Sequence, residues 1–169
     1  GRDKEAQEFR WACFEKSLNK DHLRSYLRHL PDFDDMEAEA RAMVFALRYS
    51  SVLMALDFLI SWPALEEATE LVLTRAGELD GNRYEILTLA AAALEHIHPL
   101  ATTVLLRALI DFALEKGRST RYRHAARHLQ SCGNLAKLIE DFGSFETHAA
   151  YESRLRAAHG KKASFWNFI

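Results

Sequence analysis

The chain is poor in the residues that punctuate and cross-link a fold: 169 residues hold two cysteines, three prolines and seven glycines. Cys13 and Cys132 stand too far apart to form a metal-binding or redox motif, and they offer no disulfide framework. Free thiols fit a reducing compartment, so a cytoplasmic setting is expected. So few prolines and glycines argue against a domain built from many tight turns. Val, Ile and Thr together number only 17, which leaves little of the β-branched material from which strands are made. Long apolar runs are missing as well. The most apolar stretch, 42–65, is interrupted by Arg48 and Asp57, whereas a membrane span needs about 20 mostly apolar residues. There is no secretory signal pattern, no glycine-rich phosphate loop, no Gly-x-Ser-x-Gly elbow and no His-Glu-x-x-His pair. No cofactor and no metal are therefore expected, and the balance leans away from an enzyme. The chain opens Gly-Arg-Asp without Met, so a longer parent protein is expected.

What is abundant is Ala (25) and Leu (24), two strong helix formers. With 49% hydrophobic and 27% charged residues, the chain is neither disordered nor fibrous, and an all-α fold is expected. Helix boundaries can be read from local signals. Helices are predicted over about 4–17, 21–30, 34–47 and, after a break at Ser50-Ser51, to Ser61. Asp34 is placed as the cap of the third. Pro63 opens a fifth, in the first turn where a missing N–H costs nothing, and Pro99 opens the seventh in the same way. Between them lies a helix over about 83–97, with His96 and His98 at its C-terminal end. The seventh runs to Gly117 and is apolar on two sides, as a helix covered by neighbours must be. Further helices are expected over 121–131, 135–141 and 147–159, about ten in all. Residues 1–160 read as a single repeat domain, with an irregular aromatic tail, 161–169, docked on it through Phe165, Trp166, Phe168 and Ile169.

A weak repeat underlies this order. Arg-Tyr occurs at 48–49, 83–84 and 121–122, each time at an expected helix start, and prolines follow the first two at 63 and 99. A period in the mid-thirties is the length of one helical hairpin, as in tetratricopeptide-like arrays. Stacked antiparallel helical hairpins forming an α-α superhelix are therefore the expected architecture, each hairpin covering the apolar face of its neighbour.

Charge is uneven along the chain. Residues 1–80 carry 16 acids and 10 bases, while 81–169 carry eight acids and 12 bases. No acid occurs between Glu115 and Glu140, where Lys116, Arg118, Arg121, Arg123, Arg127 and Lys137 lie together with His124 and His128. Arg118, Arg121, Arg123, His124, Arg127 and His128 are the candidate partner- or anion-binding residues, since arginine forks at a helix start suit carboxylates and phosphates. The plainer alternative is a solvated basic face that meets acids such as Asp111 or Glu115. A net charge of −2 disfavours general nucleic-acid binding, which rests on neutralising phosphates.

His124, His128 and Cys132 recur every four residues and are zinc-ligand types. At 1.5 Å rise per residue the outer two lie about 12 Å apart, so one ion could take two of them at most. Packing is the simpler role. Asp57 and Asp111 sit in apolar strings and are expected to be buried and paired with an arginine such as Arg83, Arg107 or Arg121. An alternative enzyme reading places Asp111, Glu115, His124 and His128 in one metal- or anion-dependent site between the seventh and eighth helices.

Several strings carry a family resemblance: Leu30-Pro31-Asp32-Phe33-Asp34-Asp35, Trp62-Pro63-Ala64-Leu65, His98-Pro99-Leu100-Ala101, and the run from Arg121-Tyr122-Arg123-His124 to Leu129. His159-Gly160-Lys161-Lys162 and Ser164-Phe165-Trp166 complete the set. Together they resemble the C-terminal part of an all-helical bacterial family known only as a domain of unknown function. That resemblance implies a bacterial, cytoplasmic setting and supplies no activity or site residues. The function expected from the residues is a non-enzymatic helical-repeat scaffold that binds a protein or peptide partner.

Overall fold

A computed structural model describes residues 1–169, which form ten α-helices and no strand. The helices pack in contacting neighbouring pairs, so the all-α reading holds. The contacts divide the chain into two compact units, Gly1–Thr74 and Arg75–Ile169.

The first unit contains α1 (Arg2–Ser17), α2 (Lys20–Arg28), α3 (Asp34–Leu47), α4 (Val52–Ser61) and α5 (Leu65–Thr74). Its core is aromatic. Phe14 is fully buried, with its ring 5.4 Å from Trp11 and from Phe58 and 6.0 Å from Phe45. α1 ends where Leu18 takes the left-handed conformation (φ 53°), which buries its side chain and lets its N–H close on the Phe14 carbonyl at 2.7 Å. Asn19 caps α2 by accepting from the Asp21 and His22 amides, and Ser51 caps α4 by accepting from Met54.

Four local expectations change here. Asp34 is the first residue of α3 and not its cap; the cap position falls to Phe33, in the left-handed region at φ 76°, with no side-chain bond. Arg48-Tyr49 closes α3 instead of opening a helix, because the Arg48 and Tyr49 amides finish its last turn on the Phe45 and Ala46 carbonyls while Ser51 supplies the next cap. Pro63 precedes α5 by two residues, on a cis Trp62–Pro63 bond. Asp57 is exposed on α4, not buried.

The second unit contains α6 (Tyr84–Leu94), α7 (Pro99–Glu115), α8 (Tyr122–Ala136), α9 (His148–His159) and α10 (Ala163–Trp166). α7 is its centre. Leu105, Leu106, Leu109, Ile110, Ala113 and Leu114 are buried, and the helix packs against both α6 and α8. Pro99 stands at its first position as expected. His98 belongs to this start and not to the preceding helix end: its Nδ1 accepts from the Ala101 amide at 3.2 Å. The remaining Arg-Tyr pairs behave as read, Arg83 and Arg121 occupying the cap positions of α6 and α8. α8 continues through Cys132 and Gly133, so the separate helix expected over 135–141 does not exist. Gly133 lies against the His148 imidazole of α9, where its small size suits continuation of the helix better than a stop. The tenth helix comes instead from the tail, where α10 replaces the irregular segment expected there. Phe165 is fully buried edge-on to Tyr122, and the Trp166 indole donates to the His159 carbonyl at 2.9 Å.

Candidate functional site

The basic segment acquires a shape in the second unit. Gly81 lies directly on α7: a Cβ there would overlap the Ala108 carbonyl oxygen and the Phe112 Cβ. This close approach holds the loop before α6 against the middle of α7. Asn82 and Tyr84 follow it, and Arg121 reaches them from the start of α8. The Arg121 guanidinium donates through Nη2 to Asn82 Oδ1 at 3.1 Å and stands 5.5 Å from the Tyr84 ring and 5.3 Å from the Phe112 ring. Its Nη1 is enclosed without an acceptor.

The result is a pocket of about 650 Å³, within the range of sites that hold a small ligand or a few side chains. Leu109 and Ala113 of α7 and Ala125 of α8 form its apolar floor. Tyr84 and Thr88 of α6 stand on one side, and Arg121, His124, Arg127 and His128 on the other. No acid lines it. Burial, and then the neighbouring His124 and Arg127, push the His128 imidazole down to about 4, so it is neutral at pH 7 and offers hydrogen bonds instead of charge. Positive potential therefore rests on Arg121, on Arg127 and on the start of α8, which no side chain caps.

Four of the six candidate residues are brought together: Arg121, His124, Arg127 and His128. Arg118 and Arg123 are not among the lining residues. Arg123 is drawn instead to the C-terminal tail, its guanidinium 5.4 Å from the Phe168 ring. No ion pair joins any cation between Lys116 and Lys137 to an acid. The acids named as partners for a solvated basic face do not meet it. Asp111 is engaged elsewhere, accepting from the Tyr151 hydroxyl at 2.8 Å and lying 3.8 Å from Arg154 Nη2. Burial raises its carboxyl above the usual range, against the opposing pull of Tyr151 and Arg154.

Asp111 thus belongs to a second cluster, on the side of α7 that meets α9. There Arg107 is only 7% exposed. Its Nη1 donates to the Glu146 carbonyl at 2.8 Å, its guanidinium lies 4.5 Å from the Tyr151 ring, and its Nε and Nη2 have no acceptor. The pairing of Asp111 with Arg107 or Arg121 expected from sequence is replaced by Tyr151 and Arg154. Asp111 and Glu115 do not join His124 and His128 around the pocket, and no group of three or more His, Cys, Asp or Glu is placed to hold a metal ion. Cys132 is fully buried, and that burial pushes its thiol up to about 12, which removes it as a nucleophile or thiolate ligand at neutral pH.

Sequence reasoning missed Gly81, Asn82, Tyr84 and Thr88. The available signal was the Gly-Asn-Arg-Tyr string before a helix, whose glycine marks a close backbone approach.

No helix of the chain is long and apolar enough to cross a membrane. Searches among curated proteins and among solved structures found no match to the chain. A family model described as a family of unknown function, DUF6880, matches residues 1–168, and the chain belongs to that family.

Proposed function

We propose that this chain is a helical-repeat interaction module, tetratricopeptide-like in its use of paired helices, and that the pocket between α6, α7 and α8 holds an acidic segment of a protein or peptide partner. The observation that carries this reading is a cavity with an apolar floor, two arginines and two histidines on its wall, no acid in its lining, and no ion pair on any of its cations. Uncompensated arginine beside an apolar surface favours a ligand that brings both a carboxylate and an apolar group. The two free cysteines and the family resemblance support a bacterial cytoplasm as the setting.

Calorimetric titration of the whole protein with a short Asp/Glu-rich peptide carrying one Phe tests this. Binding should weaken as salt rises and fall by about tenfold or more in Arg127→Glu, a change of roughly 1.4 kcal/mol. Equal affinity in wild type and Arg127→Glu, or no heat at any concentration, would overturn it.

A further inference from the structure

The first unit carries a surface feature that answers the pocket. Pro31 to Glu37, the loop before α3 and its first helical turn, are all exposed, and within this segment Phe33 is 86% and Met36 73% exposed. Phe33 holds the left-handed conformation at φ 76°, a region that bulky side chains rarely adopt. Four carboxylates flank the two apolar side chains in sequence: Asp32, Asp34, Asp35 and Glu37. None of them has a basic partner on its own chain. The molecule therefore displays an exposed aromatic ring among unpaired acids, and a pocket with an apolar floor and unpaired bases in its lining.

We propose that the occupant of the pocket is the Pro31–Glu37 turn of a second copy of this chain. The Phe33 ring covers the Leu109, Ala113 and Ala125 floor, and the flanking aspartates face Arg121 and Arg127. This rests on the reading of the pocket as a site for acidic segments and names the partner. The contact is head-to-tail, because turn and pocket are different surfaces, so each molecule donates one turn and accepts another. The area covered by one turn is small beside a standard interface, so association is weak, grows with concentration and is reduced by salt.

Sedimentation equilibrium of the full chain over a wide concentration range, at low and high salt, tests this. The expected result is an average mass that climbs above the monomer with concentration and falls back at high salt. Phe33→Ala and Arg127→Glu both change exposed side chains and should each stay monomeric, with unchanged circular dichroism. Mixed in equal amounts they should form a dimer and stop there, because the mixture holds one intact pocket type and one intact turn type. A wild type that stays monomeric, or association that persists in Phe33→Ala, overturns the proposal. If the unrelated acidic peptide still binds in either case, the reading of the pocket survives alone; if that peptide fails too, both fall.

Discussion

At Gly81 a single hydrogen sets how closely the loop before α6 approaches α7. An added methyl would meet the Ala108 carbonyl oxygen and the Phe112 Cβ, neither of which can move without disturbing the helix. Gly81→Ala should therefore destabilise by about 2–3 kcal/mol, read as a lower urea midpoint, and should weaken peptide binding because Asn82 and Tyr84 shift with it. His128 gives a pH signature at the same scale. Its folded-state value of about 4 lies below the ordinary 6.5, so the unfolded chain binds the extra proton first. Its contribution is fully present above about pH 6.5 and is lost as pH falls toward 4. Ring chemical shifts should show His128 titrating near 4. Replacing it by Gln should flatten the stability profile across that window by about 2 kcal/mol or less, after discounting for partial exposure.

Among the elements, α9 and α10 are short helices held by side chains from α7 and α8. Tyr151 of α9 is fully buried, donates to Asp111 and stacks on Arg107. Tyr151→Phe should keep the packing and lose the bond to a half-buried carboxylate, costing about 1–2 kcal/mol by denaturant titration. Phe165 of α10 is fully buried against Tyr122. Phe165→Ala should cost roughly 3 to 5 kcal/mol and release the 163–169 amides to rapid hydrogen exchange. An unchanged exchange pattern would show that the tail is held by other contacts, such as Arg156 on Trp166 and Arg123 on Phe168.

For the whole molecule, the two compact units also differ in charge: residues 1–74 carry 14 acids and nine bases, and 75–169 carry 10 acids and 13 bases. Every residue lining the pocket lies between Gly81 and His128. Residues 75–169 produced separately should fold cooperatively, shown by a single sigmoidal thermal melt in circular dichroism. They should also bind the acidic peptide as the full chain does. Residues 1–74 should not bind it. A non-cooperative melt of the 75–169 fragment would show that the second unit depends on the first.

Helix content and most helix starts were legible in the sequence because their causes are local. Ala and Leu content, the break at Ser50-Ser51 and Pro99 at a first helical position act within one or two turns. The basic segment was legible for the same reason, as an absence of acids along 25 or so residues. Errors arose where a local signal competed with a distant contact. Gly133 reads as a helix stop, yet it continues α8 against His148. Asp111 reads as a partner for the next helix's arginine, yet its hydrogen bond goes to Tyr151, 40 residues away. Arg121 and Arg123 are two residues apart and look equivalent. Tertiary structure alone sends one to Asn82, 39 residues back, and the other to Phe168. The sequence determined that this protein is helical and where its positive charge lies. Only the packing of α6, α7 and α8 decided which of those charges share a pocket, because a helix face has no meaning as a site until its neighbours define what remains uncovered.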